Sequence, residues 1–293
     1  MAQSALPQTF MELSRQTQWA EIEAIPVKFD TYHPQGFALV NDVLFVSSVE
    51  VTTPTRRFAS LQNGMGRSAG SGKGHLFKMD LDGNLLASIQ LGEGDMYHPG
   101  GIDYDGTWLW IPVAEYRPHS NSVVYRVDPH TLAVEEVFKY EDHIGGIMHN
   151  TDGQTLHGVS WGSRTFYTWT LNENQAVTNA AVKPAMLQEP NPSHYVDYQD
   201  CMYAGDQLGI CSGLATYYNG QVRFALGGLE LVDLENGLPV HQVPFPFWTE
   251  TGQSMMQNPV ALELNEQVLR LYAMPEDNQS RLFIYETRID EEE

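Results

Sequence analysis

His33-Pro-Gln-Gly-Phe37, His98-Pro-Gly-Gly-Ile102 and His143-Ile-Gly-Gly-Ile147 are three copies of one phrase; His194-Tyr-Val-Asp-Tyr198 and Asn258-Pro-Val-Ala-Leu262 read as degenerate fourth and fifth copies. Each is followed downstream by a second phrase: Phe77-Lys-Met-Asp80, Tyr125-Arg-Val-Asp128, Tyr167-Thr-Trp-Thr170, Glu230-Leu-Val-Asp233 and Phe283-Ile-Tyr-Glu286. Self-similarity at a spacing of roughly 40 to 60 residues is the mark of a solenoid, an array or a propeller.

Within a unit the pattern is four short runs rich in β-branched and aromatic residues, separated by turn residues. In the second unit these are 101–104, 108–113, 123–128 and 133–140, divided by Asp105-Gly106 and Pro129-His130-Thr131. The third repeats it over 147–150, 155–160, 166–170 and 175–182. Four-stranded antiparallel blades repeated around an axis close into a β-propeller, and closure protects the strand edges. The expected fold is therefore all-β, one five-bladed propeller domain over 1–293, with blades near 33–91, 98–140, 143–183, 194–245 and 258–287. The last unit holds only three strands, and the alternating segment 20–27 is expected to supply the fourth. A six-bladed alternative requires hidden strands in 50–74 or 215–229. Only 9–19 has a helix-like period.

Composition narrows the function classes. With 37 acidic against 16 basic residues the net charge is -21, which excludes a general affinity for nucleic acid or anionic membranes,. No run approaches the ~20 apolar residues of a membrane span, so a soluble protein is expected. The start Met1-Ala-Gln-Ser-Ala5 is compatible with removal of an export signal, as in a periplasmic or secreted protein, and compartment stays open. Cys201 and Cys211 fall opposite each other if Asp206 centres a hairpin turn; the default reading is two buried thiols, with a disulfide as the alternative.

Strand starts and the loops leaving second strands converge at one mouth of a propeller's channel. That places His33, His98, His143 and His194 in one ring as candidate ligands of a divalent metal (Zn, Fe or Ca, with Cu and Ni also suited to imidazole), against the alternative of structural histidines. Asn258 takes the fifth place. Glu50 and Glu115 occupy matching positions after second strands, as candidate catalytic acid and base or as salt-bridge partners of nearby arginines. Arg164 is a candidate anion clamp and Trp161 a candidate ligand-binding wall. The aromatic loop 245–248 with Met255 and Met256 reads as a rim for an apolar ligand or as packing. Residues 64–74 fail the phosphate-loop pattern and read as a loop of the first blade leaning over the pocket. The function expected is small-ligand binding or metal-assisted hydrolase or lyase chemistry, the alternative being a non-catalytic interaction propeller with a protein partner.

Two resemblances follow from these residues. Gln35-Gly36-Phe37, Leu44-Phe45, Ser47-Ser48 and Gly74-His-Leu-Phe-Lys-Met-Asp80 resemble the first blade of five-bladed glutaminyl cyclotransferases, which implies the same blade count and, as an alternative, a related activity. Those enzymes carry a catalytic Glu within the second strand, where Val46 stands here. The blade periodicity and Gly-Gly-Ile-Asp strand starts resemble uncharacterised bacterial and fungal propellers similar to gluconolactonase and NHL-type folds.

Overall fold

The computed structural model describes residues 5–289, so the Asp290 to Glu293 acidic run and Met1 to Ser4 lie outside the described residues. Five four-stranded antiparallel sheets surround a channel. Blade one comprises His33–Val40, Val43–Thr53, Ser71–Asp80 and Leu85–Leu91; blade two, Met96–Pro99 with Asp103–Tyr104, then Leu109–Glu115, Ser122–Val127 and Val134–Tyr140. Blade three comprises Ile144–Asn150, Thr155–Ser160, Thr165–Thr170 and Glu189–Pro190; blade four, Asp197–Gly205, Leu208–Asn219, Val222–Asp233 and Leu238–Phe245. Blade five runs Val260–Asn265, Val268–Ala273 and Arg281–Arg288, and Ala20–Pro26 pairs antiparallel with its last strand, Ala20 opposite Glu286 and Pro26 opposite Arg281. The N-terminal segment thus closes the ring, because its apolar face at Ile25 continues the core between blades five and one.

The six-bladed alternative fails for a visible reason. Residues 50–74 extend blade one's central strands and add a small hairpin, Arg57–Gln62 with Met65–Arg67. Residues 215–229 prolong the hairpin of blade four, Asn219 pairing with Val222 at its tip. Both are arms on existing blades. The outer strand expected at 175–182 is also corrected: the Asn179 side chain accepts from the backbone N–H of Thr170 (2.9 Å), ending the ladder there. The chain then turns through Pro184–Leu187 before Glu189–Pro190 pairs instead. The helix falls at Ala5–Glu12, not 9–19, burying Leu6 and Phe10 against blades four and five. Cys201 and Cys211 are paired across the blade-four hairpin with Cα atoms 4.1 Å apart and are disulfide-bonded, which corrects the reading of two free thiols.

The repeated glycines have a reason at the axis. Register aligns Gly36 with Ser47, Gly146 with Val159 and Asp200 with Ser212, each just after a bulge, so Asp200 of blade four stands where blades one to three carry Gly36, Gly101 and Gly146. Its carboxyl projects into the space the glycines leave and accepts backbone N–H groups from Phe37 (2.7 Å), Cys201 (3.0 Å), Ile102 and Val260, tying together blades one, two, four and five. A Cβ on Gly101 would lie 2.7 Å from Asp200 Oδ1, and one on Gly36 would lie 2.6 Å from the Ile102 nitrogen. Blades two and three meet through Gly101 N–H to the Gly145 carbonyl (2.9 Å). Nearer the opposite mouth, Asp103 accepts from His149 (2.8 Å) and Tyr203 (3.1 Å) nitrogens in the same manner.

Candidate functional site

The mouth on the side of the strand starts opens into a cavity of about 270 Å³ lined by His33, His98, His143, Tyr116, Trp161 and Asp197, with Asp200 and Cys201 among the deeper residues. Three of the four histidines named from the sequence are brought together there. His98 lies between the others, its ring centroid 6.5 Å from His33 and 6.1 Å from His143. It stacks under Tyr116 at 4.1 Å, and His143 meets Trp161 edge-on at 4.7 Å.

The fourth histidine is a correction. His194 is exposed, outside the cavity, with Nδ1 3.0 Å from Arg164. The hydrogen-bond register shows why: Asp197 opposite Leu214 matches His33 opposite Val49, so the true fourth copy of the phrase is Asp197-Tyr-Gln-Asp-Cys201, three residues later. The signal available in the sequence was the Asp at the glycine position, hidden because it replaces a residue with no side chain. Asn258 holds the fifth place, its amide donating to the Pro275 carbonyl (3.2 Å) and Asp277 (3.1 Å) while its Oδ1 is buried without a partner.

His98 is the chemically distinctive group. It is 5% exposed, and neither Nδ1 nor Nε2 has a hydrogen-bond partner. An imidazole always carries at least one N–H, and leaving it unpaired in a buried site costs about 1–3 kcal/mol. Burial first, then the neighbouring His143 and His33, hold its pKa well below the usual histidine range, so the ring is neutral and offers one donor and one acceptor,. Burial likewise lowers His143 to about 4; its Nδ1 is 2.8 Å from the Glu115 carbonyl, which fixes Nδ1 as the donor and Nε2 as the acceptor,. Burial pushes the Asp200 carboxyl well up, against the pull of its four N–H donors.

These donors do not fit a metal ion. Among the described residues no three His, Cys, Asp or Glu side chains are arranged to hold one, and His33 directs Nδ1 to Asp277 (2.8 Å). The carboxylates proposed as a catalytic pair are also not brought together. Glu50 bonds Lys73 (3.1 Å) and His75 (3.2 Å); buried Glu115 bonds Arg117 Nε (2.6 Å) and Asn121 (2.7 Å). Neither lines the cavity. Arg164 donates to the Ser193 carbonyl (2.7 Å) and pairs with Asp197 (3.2 Å). Trp161 does form a wall, and over its face, at 5.2 Å, sits Arg67 of the blade-one arm, a residue the sequence reading did not single out. The arm leans over the pocket as expected. Val46, at the cyclotransferase position, is fully buried and brings no carboxylate to the mouth. Phe245, Met255 and Met256 are core, leaving Trp248 exposed.

The model of a family of unknown function, DUF6454, matches residues 1–290 and so takes in all five blades. The chain belongs to that family. No curated protein matches it in sequence. Among solved structures it is similar to a luciferin-regenerating enzyme at 10% identity, covering 93% of this chain and 95% of that one, with a TM-score of 0.51. It is also similar to the periplasmic gluconolactonase of Pseudomonas aeruginosa (12% identity, 88% and 85% covered, TM-score 0.42) and to a glycoside hydrolase (9%, 99% and 96%, 0.49). At such identities the likeness is one of fold, and a propeller hosts many chemistries.

Proposed function

We propose that this protein binds a small polar molecule at the channel mouth and that His98 recognises it. The observation that carries this is a buried neutral imidazole with both nitrogens unpartnered, in a cavity walled by Tyr116 and Trp161. Elsewhere the core satisfies its histidines: His149 bonds Asp105 (2.7 Å), and His157 bonds Thr155 (2.9 Å). A site of a few convergent polar groups in an aromatic-walled concavity is how small ligands are held. Binding is favoured over proton transfer because a general base works best with a pKa near the operating pH, and burial depresses both His98 and His143 far below it,. That weighs against a hydrolase or lyase using these rings as its base.

The test is a screen of polar metabolites by ligand-observed NMR on wild type and His98→Gln. Hits whose signal disappears in the variant, with the fold retained, support the reading. A set of hits indifferent to His98 refutes it.

A further inference from the structure

We infer that the mouth selects an organic monoanion, a carboxylate carried on a planar body, and that Arg67 is the residue that selects it. This rests on the proposed small-molecule site and names the class of molecule it takes.

The argument is a charge ledger at the mouth. Four other cations on this face have anionic partners, Lys73 with Glu50, Arg117 with Glu115, Arg164 with Asp197 and Arg281 with Glu276, whereas Arg56 and Arg57, on the same arm as Arg67, pair with no carboxylate among the described residues, and Arg57 stands opposite Arg67 in the arm's hairpin. The acids are committed as well. Asp197 pairs with Arg164, Asp277 accepts from His33 and Asn258, and Asp200 spends its oxygens on backbone N–H groups. Among the described residues Arg67 has no carboxylate partner, and its guanidinium lies over the indole of Trp161, a wall of the cavity. It is also close enough for its charge to act on the phenol of Tyr116, the other aromatic wall. A guanidinium over a cavity whose buried His98 and His143 are neutral complements a negative charge on a ligand. Arginine gives it the bidentate geometry of a carboxylate.

The surrounding arm supports the same sign. From Val51 to Met79 there is no Asp or Glu, yet the stretch carries Arg56, Arg57, Arg67, Lys73 and Lys78, five of the chain's 16 basic residues, in a protein of net charge -21. A local basic field against an acidic body steers anions toward this mouth. Trp161 and Tyr116, with ring centroids 5.7 Å apart, wall the cavity, and beneath Tyr116 lies His98 with both ring nitrogens buried and without a partner. A cationic ligand would find the Trp161 face already covered by Arg67 and each rim carboxylate engaged.

Three probes on one phenol ring separate the possibilities: 4-hydroxybenzoate, 4-hydroxybenzamide and 4-hydroxybenzylamine, titrated at neutral pH into wild type, Arg67→Gln and His98→Gln, each shown to be folded by its melting curve. The expected result is that wild type prefers the benzoate over the amide by about tenfold or more, the scale of one charge-assisted hydrogen bond. Arg67→Gln abolishes that preference and leaves the amide's affinity unchanged, while His98→Gln weakens both. Preference for the amide or the amine, a benzoate preference that survives in Arg67→Gln, or no binding of the benzoate up to about 10 mM overturns the inference. Indifference of all three probes to His98→Gln is the separate signature of failure of the pocket reading itself.

Discussion

Gly36, Gly101 and Gly146 occupy one position of the repeated phrase, and the sequence treats them alike, but alanine should be ruinous at the first and harmless at the third. A Cβ on Gly36 would stand 2.6 Å from the Ile102 nitrogen, 2.8 Å from the Gly100 oxygen and 2.8 Å from the Gly101 Cα, all main chain of the adjoining blade. Ordinary contact needs 3.4 Å or more, so blades one and two must part, straining the Asp200 bonds to Phe37 and Ile102 that bridge them. Overpacking costs about 1–3 kcal/mol, and weakening one or two buried bonds to a carboxyl adds about 1–3 kcal/mol; the total is about 2–6 kcal/mol. On Gly146 the nearest atom is 3.8 Å away, ordinary contact. There the substitution removes glycine's excess chain entropy, a gain of roughly 0.5–1 kcal/mol. At roughly 2 °C per kcal/mol for a chain of this size, calorimetry should show Gly36→Ala melting about 4–12 °C below wild type, and Gly146→Ala at or slightly above it. Equal losses at the two positions, or none at Gly36, would refute the reasoning that the glycines exist to let blade backbones meet around Asp200.

Two other expectations follow. His143 is neutral when folded down to about pH 4 but protonates near 6.5 when unfolded, so below 6.5 the unfolded chain binds the extra proton and stability falls with pH,. The 6.5-to-4 interval is worth about 3 kcal/mol,. The stability gap between wild type and His143→Gln, measured by urea unfolding, should narrow by about that amount from pH 7 to 4. An unchanged gap would place His143 in water. The Cys201–Cys211 bond closes a short loop, for which the chain-entropy account gives about 2–3 kcal/mol,; the double alanine variant should lose that much, and the intact denatured protein should show no thiol reactive to Ellman's reagent until it is reduced.

The fold was readable because a propeller repeats its punctuation: Asp-Gly turns and alternating β-branched runs gave four strands per unit, and the leftover strand at residues 20–26 was visible as the complement of a three-stranded last blade. What was not readable had local physical causes. Asn179 ends blade three's ladder with a side-chain bond that strand propensity does not register,. His194 drew attention by residue type, whereas register, which only pairing reveals, assigns the position to Asp197. The glycines looked like strand-start signals, and their partner, Asp200, is distant from them in sequence and adjacent in space. Arg67 was invisible because its meaning lies in what fails to pair with it.

The central claim is that His98 is a neutral ring held unpartnered for a ligand. Nitrogen-15 NMR of the histidine side chains, with His98 assigned through His98→Gln, measures this directly. The predicted result is a single neutral tautomer that does not titrate between about pH 5 and 8, whose ring nitrogens shift on saturation with 4-hydroxybenzoate while those of exposed His119 and His130 do not. A His98 resonance that titrates near the ordinary histidine value, or that is indifferent to every ligand bound, would contradict it.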